Sequence, residues 1–303
     1  MRHTLIIAAL AMLLASCGKS VPKAHLSSDI DTLSYIMGIT FSTDSAQMSE
    51  FLKSQGLDDS QKEKFLEGVW AGIEKGHKAQ LNEAANPEDQ AFNMGVNVGD
   101  QAQQRCLYRV ESMLEFGENE HLSSENFMAG FADYGRGTVC INHQGKPVDQ
   151  AMAFSLADSL IHIIAERTFA VKYAAERKAA DDFMAAIAKK DSVAALPGGI
   201  YYKELKAGTG EVPNPAATVR VHYEGRLTNG TIFDSSYQRQ KEATFALPNV
   251  IKGWQNSISK MPVGSQWEIY IPWQQGYGAL GQMPDIPPYA TLIFKIELLG
   301  IEK

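Results

Sequence analysis

The uneven placement of helix breakers narrows the folds open to this chain more than any other feature. Nine of its twelve prolines fall in the last 108 residues, whereas Gln150 to Lys190 holds neither Pro nor Gly. Proline removes a backbone donor and clashes with the preceding turn of a helix, so the two regions cannot share one architecture. A boundary is expected at Leu196 to Gly199. Before it, Ala, Leu, Met, Glu, Lys and Gln dominate, with apolar residues at i, i+3, i+4 spacing, which predicts helices. After it, short β-branched and aromatic runs separated by turn residues predict strands. A length of 303 residues suits two cores, and 45% hydrophobic with 21% charged residues is ordinary for folded globular protein.

The first 17 residues stand apart. Arg2 and His3 precede an apolar run from Leu5 to Ala15 that is too short to span a bilayer, and the pattern matches a secretory signal. Leu14-Ala15-Ser16-Cys17 resembles the lipobox of bacterial lipoproteins, which implies that Cys17 becomes an acylated mature N-terminus. Gly18, Lys19 and Ser20 carry no Asp resembling an inner-membrane retention signal, so a cell-envelope protein anchored to the periplasmic face of the outer membrane is expected. Export would put Cys106 and Cys140 where disulfides persist; sequence leaves open whether they pair or stay free thiols. A net charge of −7 offers no basic surface for phosphates, so a nucleic-acid partner is not expected.

Residues 18–148 read as a helical domain that repeats itself. Tyr35-Ile36-Met37-Gly38-Ile39 is echoed by Phe92-Asn93-Met94-Gly95-Val96, and Phe65-Leu66-Glu67-Gly68 by Phe127-Met128-Ala129-Gly130, which predicts two helix-pair units. From Asp149 to about Lys190 nothing interrupts a helix. Leu156, Leu160, Ile163 and Ile164 make one apolar stripe, and the Ala-rich, charged stretch from Glu166 to Lys178 fits a rod leaving its bundle through solvent or, because Ala runs hide kinks, a helix that breaks and folds back onto its own bundle. Residues 149–195 are therefore expected to be a long connecting helix and linker.

In residues 196–303, strands are expected over Ile200 to Leu205, Thr218 to Arg226, Thr244 to Leu247, Gln266 to Ile271 and Thr291 to Leu299, with a short helix around Val250 to Lys260. Turn signals at Asn229-Gly230 and Pro262 to Gly264 make the sheet antiparallel. Three stretches follow in order: Val221-His222-Tyr223-Glu224-Gly225 through Gly230 to Ser236; Val250-Ile251-Lys252-Gly253-Trp254; then Gly276-Tyr277-Gly278 and Ile286 to Phe294. Together they resemble the FKBP-type peptidyl-prolyl isomerases, and the helical part is similar to the amino-terminal domain of macrophage infectivity potentiator-like members. The fold class expected is α+β, an antiparallel FKBP sheet wrapped on a short helix and preceded by an all-α domain.

The resemblance implies a proline pocket walled by Tyr223, Phe233, Trp254 and Phe294, with Trp254 at its floor and Val250 and Ile251 along one side; Phe245, at the outer of two aromatic positions, and Ile286 are implied as further substrate-binding residues. It further implies that Ile251 offers a backbone N–H, that the Tyr277 hydroxyl meets a substrate carbonyl, and that Asp234 at the rim polarises the twisted amide. No metal or cofactor is implied. Ala243, Gln282 and Asp285 depart from the family pattern, where an aromatic, a His and an aliphatic residue are usual. The partners implied are unfolded or partly folded proline-containing polypeptides, a macrolide inhibitor, the membrane through a lipid anchor, and a second copy through the helical domain. Two other readings fit the residues: a holdase chaperone whose helical domain grips clients, and a spacer holding two heads apart.

Overall fold

The computed structural model describes residues 21–83, 86–117 and 120–302, so Cys17 and its signal lie outside the described residues. The chain forms two compact units that divide between Ile164 and Ala165.

The first unit is helical: α1 (Asp29–Phe41), α2 (Ser45–Ser54), α3 (Lys62–Lys75), α4 (Pro87–Ala102), α5 (Tyr108–Leu114) and α6 (Ser124–Arg136). A small hairpin, β1 (Asn142–His143) with β2 (Lys146–Pro147), then leads into α7 (Gln150–Lys172). Side-chain caps open these helices at Ser28, Asp44, Asn86 and Ser123, each satisfying amides of the first turn. Cys106 and Cys140 are both free thiols.

The echoing motifs lie on α1 and α3, and again on α4 and α6, but their partners are exchanged. Helix α1 crosses α6, and α3 crosses α4, so each half of the repeat completes the other. The two helix-pair units are thus interleaved, neither closing on itself alone. Glycines set these crossings. A Cβ on Gly38 would stand 2.0 Å from the Phe127 carbonyl oxygen, and one on Gly95 would stand 2.0 Å from that of Phe65. The reverse contacts match as well: Gly130 faces the Tyr35 oxygen and Gly68 the Phe92 oxygen, at 1.9 and 2.0 Å. Backbones in such contact leave no room for any other residue.

A polar latch seals the α1–α6 crossing. The buried Asn126 amide donates to the His25 carbonyl at 2.9 Å and its oxygen accepts the His25 N–H at 2.7 Å. The fully buried Tyr35 donates to Asp133 at 2.8 Å and accepts from the Cys140 amide at 3.0 Å. Burial and the Asp133 charge push the Tyr35 hydroxyl far above its usual range, so it stays a donor throughout physiological pH.

The connecting helix is present, with one irregular residue in it. Helix α7 ends at Lys172, Tyr173 leaves helical geometry at φ −110° and ψ 34°, and α8 (Ala174–Ile187) follows. Its first part buries Ala153, Ala157, Leu160 and Ile164 in the helical unit, while Ile163, expected in that stripe, is 46% exposed. From Ala165 onward it belongs to the second unit. Phe169 and Ala180 bury with Trp273 and Tyr289, and Met184 and Ile187 with Tyr270 and Ile293. The stretch expected to cross solvent therefore packs on the domain it introduces. Small alanines allow the close approach, and Phe169, Tyr173, Ala180 and Ile187 recur along one face, since the i→i−4 bonds from Tyr173 to Phe169 and from Arg177 to Tyr173 are kept.

The second unit holds a seven-stranded antiparallel sheet: β3 (Ala194–Leu196), β4 (Ile200–Lys206), β5 (Thr218–Leu227), β6 (Ile232–Ser235), β7 (Ala243–Ala246), β8 (Gln266–Ile271) and β9 (Leu292–Ile301). Its order is β3-β4-β8-β9-β5-β6, with β7 also paired to β5. Helix α9 (Lys252–Ile258) lies on this sheet so closely that a Cβ on Gly253 would meet Ile271 at 2.4 Å. The sheet and α9 share one core, which includes Val219, Val221, Ile258, Ile269, Ile296 and Leu298.

Candidate functional site

Strand β5 has β9 along one side but two short partners along the other. β7 pairs with Thr218 to Val221, and β6 with Glu224 to Arg226. Tyr223 sits at the gap between them, where the sheet splits. The fully buried Ser236 closes that gap: its hydroxyl accepts the Tyr223 N–H at 2.8 Å, and its own amide donates to the Tyr223 carbonyl at 2.9 Å. Without such a cap, two buried backbone groups would lack partners.

Through that split five aromatic rings converge. Trp254 on α9 meets Tyr223, Phe294 and Phe245 edge-to-face at 5.2, 5.2 and 5.4 Å between ring centres. Phe233 meets Phe294 at 5.5 Å and 87°, and Tyr223 meets Phe245 at 5.8 Å. Ring quadrupoles favour this geometry over face-to-face stacking. Gly225 sits beneath two of the rings; a Cβ there would lie 2.6 Å from Phe233 and 2.7 Å from Phe294. Phe245, read from sequence as the outer of two aromatic positions, is a full member of the network. Val250, Ile251 and Tyr277 are half-buried against the same core, and Ile286 is buried in it. Every residue expected in the pocket thus gathers in one cluster. The Trp254 indole N–H is buried with no hydrogen-bond partner.

The rim is polar and tightly organised. Asp234 accepts from the Tyr223 hydroxyl and from Arg239, whose other nitrogen donates to that hydroxyl at 2.8 Å. The same guanidinium lies over the Tyr223 ring, 5.6 Å from its centre. Burial alone would raise the Asp234 carboxyl, but the hydrogen bonds from Tyr223 and Arg239, with the Arg239 charge, outweigh it and hold the group below the usual carboxylate range. Burial and the Asp234 charge both push the Tyr277 hydroxyl up, so it remains a proton donor. Arg239 was not legible as a site residue, since it lies in a turn five positions after Asp234 with no periodic signal around it.

Comparison with known proteins agrees with this geometry. The domain amino terminal to FKBP-type peptidyl-prolyl isomerase matches residues 87–203, and FKBP-type peptidyl-prolyl cis-trans isomerase matches residues 210–299. The FKBP-type 22 kDa peptidyl-prolyl cis-trans isomerase of Escherichia coli is 34% identical over 214 residues, covering 70% of this chain and 93% of that one. The chain belongs to the FKBP-type peptidyl-prolyl isomerase family. The peptidyl-prolyl cis-trans isomerase Mip of Coxiella burnetii is similar at 48% identity over 121 residues, 40% of this chain and 53% of that protein. The outer membrane protein MIP of Legionella longbeachae is 43% identical over 133 residues, 44% of this chain and 57% of its own. This FKBP thus spans about half the length of these two relatives and nearly all of the first. Its amino-terminal family match takes in α4 and α6, the second half of the helical repeat.

Proposed function

We propose that this chain is a peptidyl-prolyl cis/trans isomerase acting on unfolded or partly folded proline-containing polypeptides in the cell envelope. The observation that carries this is the convergence of Tyr223, Phe233, Phe245, Trp254 and Phe294 beside a carboxylate held by Tyr223 and Arg239. An X-Pro bond resists rotation by about 18–20 kcal/mol because the planar amide is resonance-stabilised and charge-separated. An apolar aromatic site disfavours that planar form and accommodates the twisted one, without nucleophile or metal. Trp254 floors the proline ring, and Val250, Ile251 and Ile286 flank it. The Ile251 N–H and the Tyr277 hydroxyl hold substrate carbonyls, while Asp234 polarises the amide as it loses conjugation.

A protease-coupled assay on proline peptides tests this: the purified chain is expected to accelerate cis/trans exchange, and an FKBP-directed macrolide to suppress it. An exchange rate equal to the uncatalysed one would exclude the reading. Asp234 is held ionised and Tyr277 protonated, so kcat/KM is expected to stay flat from about pH 5 to pH 8. The sign follows from the lowered carboxyl: its ionised form is lost only as pH falls below the ordinary carboxylate value near 3.9. A titration step inside the flat window would mean that another group carries the chemistry.

Two finer statements belong to the same reading. The Leu14-to-Cys17 motif supports a lipid anchor on Cys17, and a relative named as an outer membrane protein supports the envelope as the place of action. The resemblance to potentiator-like members implied a homodimer, yet the glycine crossings of α1, α3, α4 and α6 are filled from within one chain. We infer a single-chain protein. Native mass measurement of the chain purified from membranes tests both, with one chain beginning at Cys17 plus its acyl groups as the expected mass; an unacylated chain or a two-chain mass would rule out the respective statement.

A further inference from the structure

Tyr277 is carried by the turn that follows β8, and that turn hangs on Trp273. The Trp273 carbonyl accepts the amides of Gly276 and Gly278, the two neighbours of Tyr277, at 3.1 and 2.9 Å. The Trp273 indole, however, belongs to a cluster separate from the aromatic site. It is 6% exposed and packs with Phe169 from α7, Ala180 from α8 and the ring of Tyr289, with Tyr173 alongside. Its N–H donates to the Asp181 carboxylate at 3.1 Å. The Arg177 guanidinium lies over both rings, 5.6 Å from the centre of Trp273 and 5.8 Å from that of Tyr289. Tyr289 adopts a left-handed backbone, φ 56°, which a bulky residue holds only where its surroundings impose it. Its ring meets Trp273 edge-to-face at 4.8 Å.

We propose that Asp181 and Arg177 of α8 are positioning residues for Tyr277, acting through Trp273, and that the α7–α8 junction is a working part of the isomerase. The proposal rests on the isomerase reading above. A turn with a glycine on each side of its functional residue has little stiffness of its own, so the hydroxyl is placed by whatever fixes the turn's anchor. Here the anchor is one indole clamped on two sides, by a charged pair on α8 and by Phe169 on α7. Misplacing a group by about 1 Å can cost catalysis on the order of 10²-fold, so the grip of the α7–α8 junction sets how well Tyr277 meets its substrate carbonyl.

Asp181→Ala in the full chain tests the link by two readouts. The first is amide hydrogen exchange at Gly276 and Gly278, expected to quicken roughly tenfold while amides of α1 and α6 keep their rates. Unchanged exchange at both glycines overturns the proposal, whether or not the protein is an isomerase. The second is a double-mutant cycle on kcat/KM with Tyr277→Phe. Asp181→Ala is expected to lower kcat/KM roughly tenfold when Tyr277 is present and to add nothing in the Tyr277→Phe background. Equal losses in both backgrounds would mean that Asp181 supports only the fold, and the proposal falls. Asp181→Asn keeps an oxygen acceptor for the indole and is expected to restore both readouts. An inactive native chain would refute the isomerase reading while leaving the exchange result to decide this one.

Discussion

Gly38→Ala is expected to lower the melting temperature of the helical unit by about 10 °C while the C-terminal unit unfolds where it did. The added Cβ would lie 2.0 Å from the Phe127 carbonyl oxygen and 2.7 Å from the Phe131 nitrogen. Both are backbone atoms in the middle of α6, so no side chain can swing aside. The two helices must move apart, which breaks the contacts on either side of the crossing and strains the Tyr35 and Asn126 hydrogen bonds. Overpacking of this kind costs about 3 kcal/mol, at the upper end of its usual range. Gly95→Ala meets the same geometry against Phe65 and Val69 and is expected to behave alike. Gly117→Ala, with open space around it, is the control. Calorimetry showing equal melting for Gly38→Ala and Gly117→Ala would remove the crossing as a determinant of stability.

Trp254→Leu is expected to lower kcat/KM roughly 100-fold, the largest effect of any change in the site that keeps an apolar side chain. Leucine preserves burial but deletes the surface that three rings meet edge-to-face. Each such pair contributes about 0.5–1.5 kcal/mol beyond its buried area, so the variant also loses about 3 kcal/mol of stability. Trp267→Leu separates the two effects. Trp267 is as buried as Trp254, but it stacks on Tyr202 at 3.9 Å, away from the five converging rings. It is expected to cost stability while leaving kcat/KM of the folded protein intact. Similar losses of kcat/KM in both variants would mean that the aromatic cluster serves as core alone.

The ring cluster was legible through the family resemblance, which assigns these aromatic residues to one pocket by their order along the chain. Tyr223, Phe233, Trp254 and Phe294 could be aligned to one another from sequence, and register did the rest: Gly225 opposite Phe294 and opposite Asp234 brings those segments together. Arg239 was missed because a charged residue in a turn carries no periodicity; only the geometry joins it to Asp234. The strands β3 and β6 were missed because three- and four-residue runs give too little alternation to read.

In the helical half, the motif echo was visible but the partner choice was not. Gly38 announces close packing, yet nothing in a sequence says which of four similar helices will press against it. The packing of the connecting helix on the second unit was hidden for a related reason. Ala-rich segments lack the bulky stripe that would reveal a buried face, and Phe169 alone could not reveal that Trp273 waits some hundred residues downstream. Tyr173 is neither Pro nor Gly, so local propensity does not register the irregularity there.

The exchanged helices have one more consequence. Two identical chains related by an axis must accept every mutation twice, because a change on one side of the axis appears on the other. A single polypeptide with two echoing halves is released from that constraint. The released asymmetry is already visible. Tyr35 and Phe92 hold corresponding places, yet Tyr35 carries a hydroxyl engaged with Asp133 and Cys140, while Phe92 presents a bare ring. The α3–α4 side has instead added a second glycine step, Gly72 against Val96 and Gly99 against Val69. Each crossing thus closes the same joint in its own way.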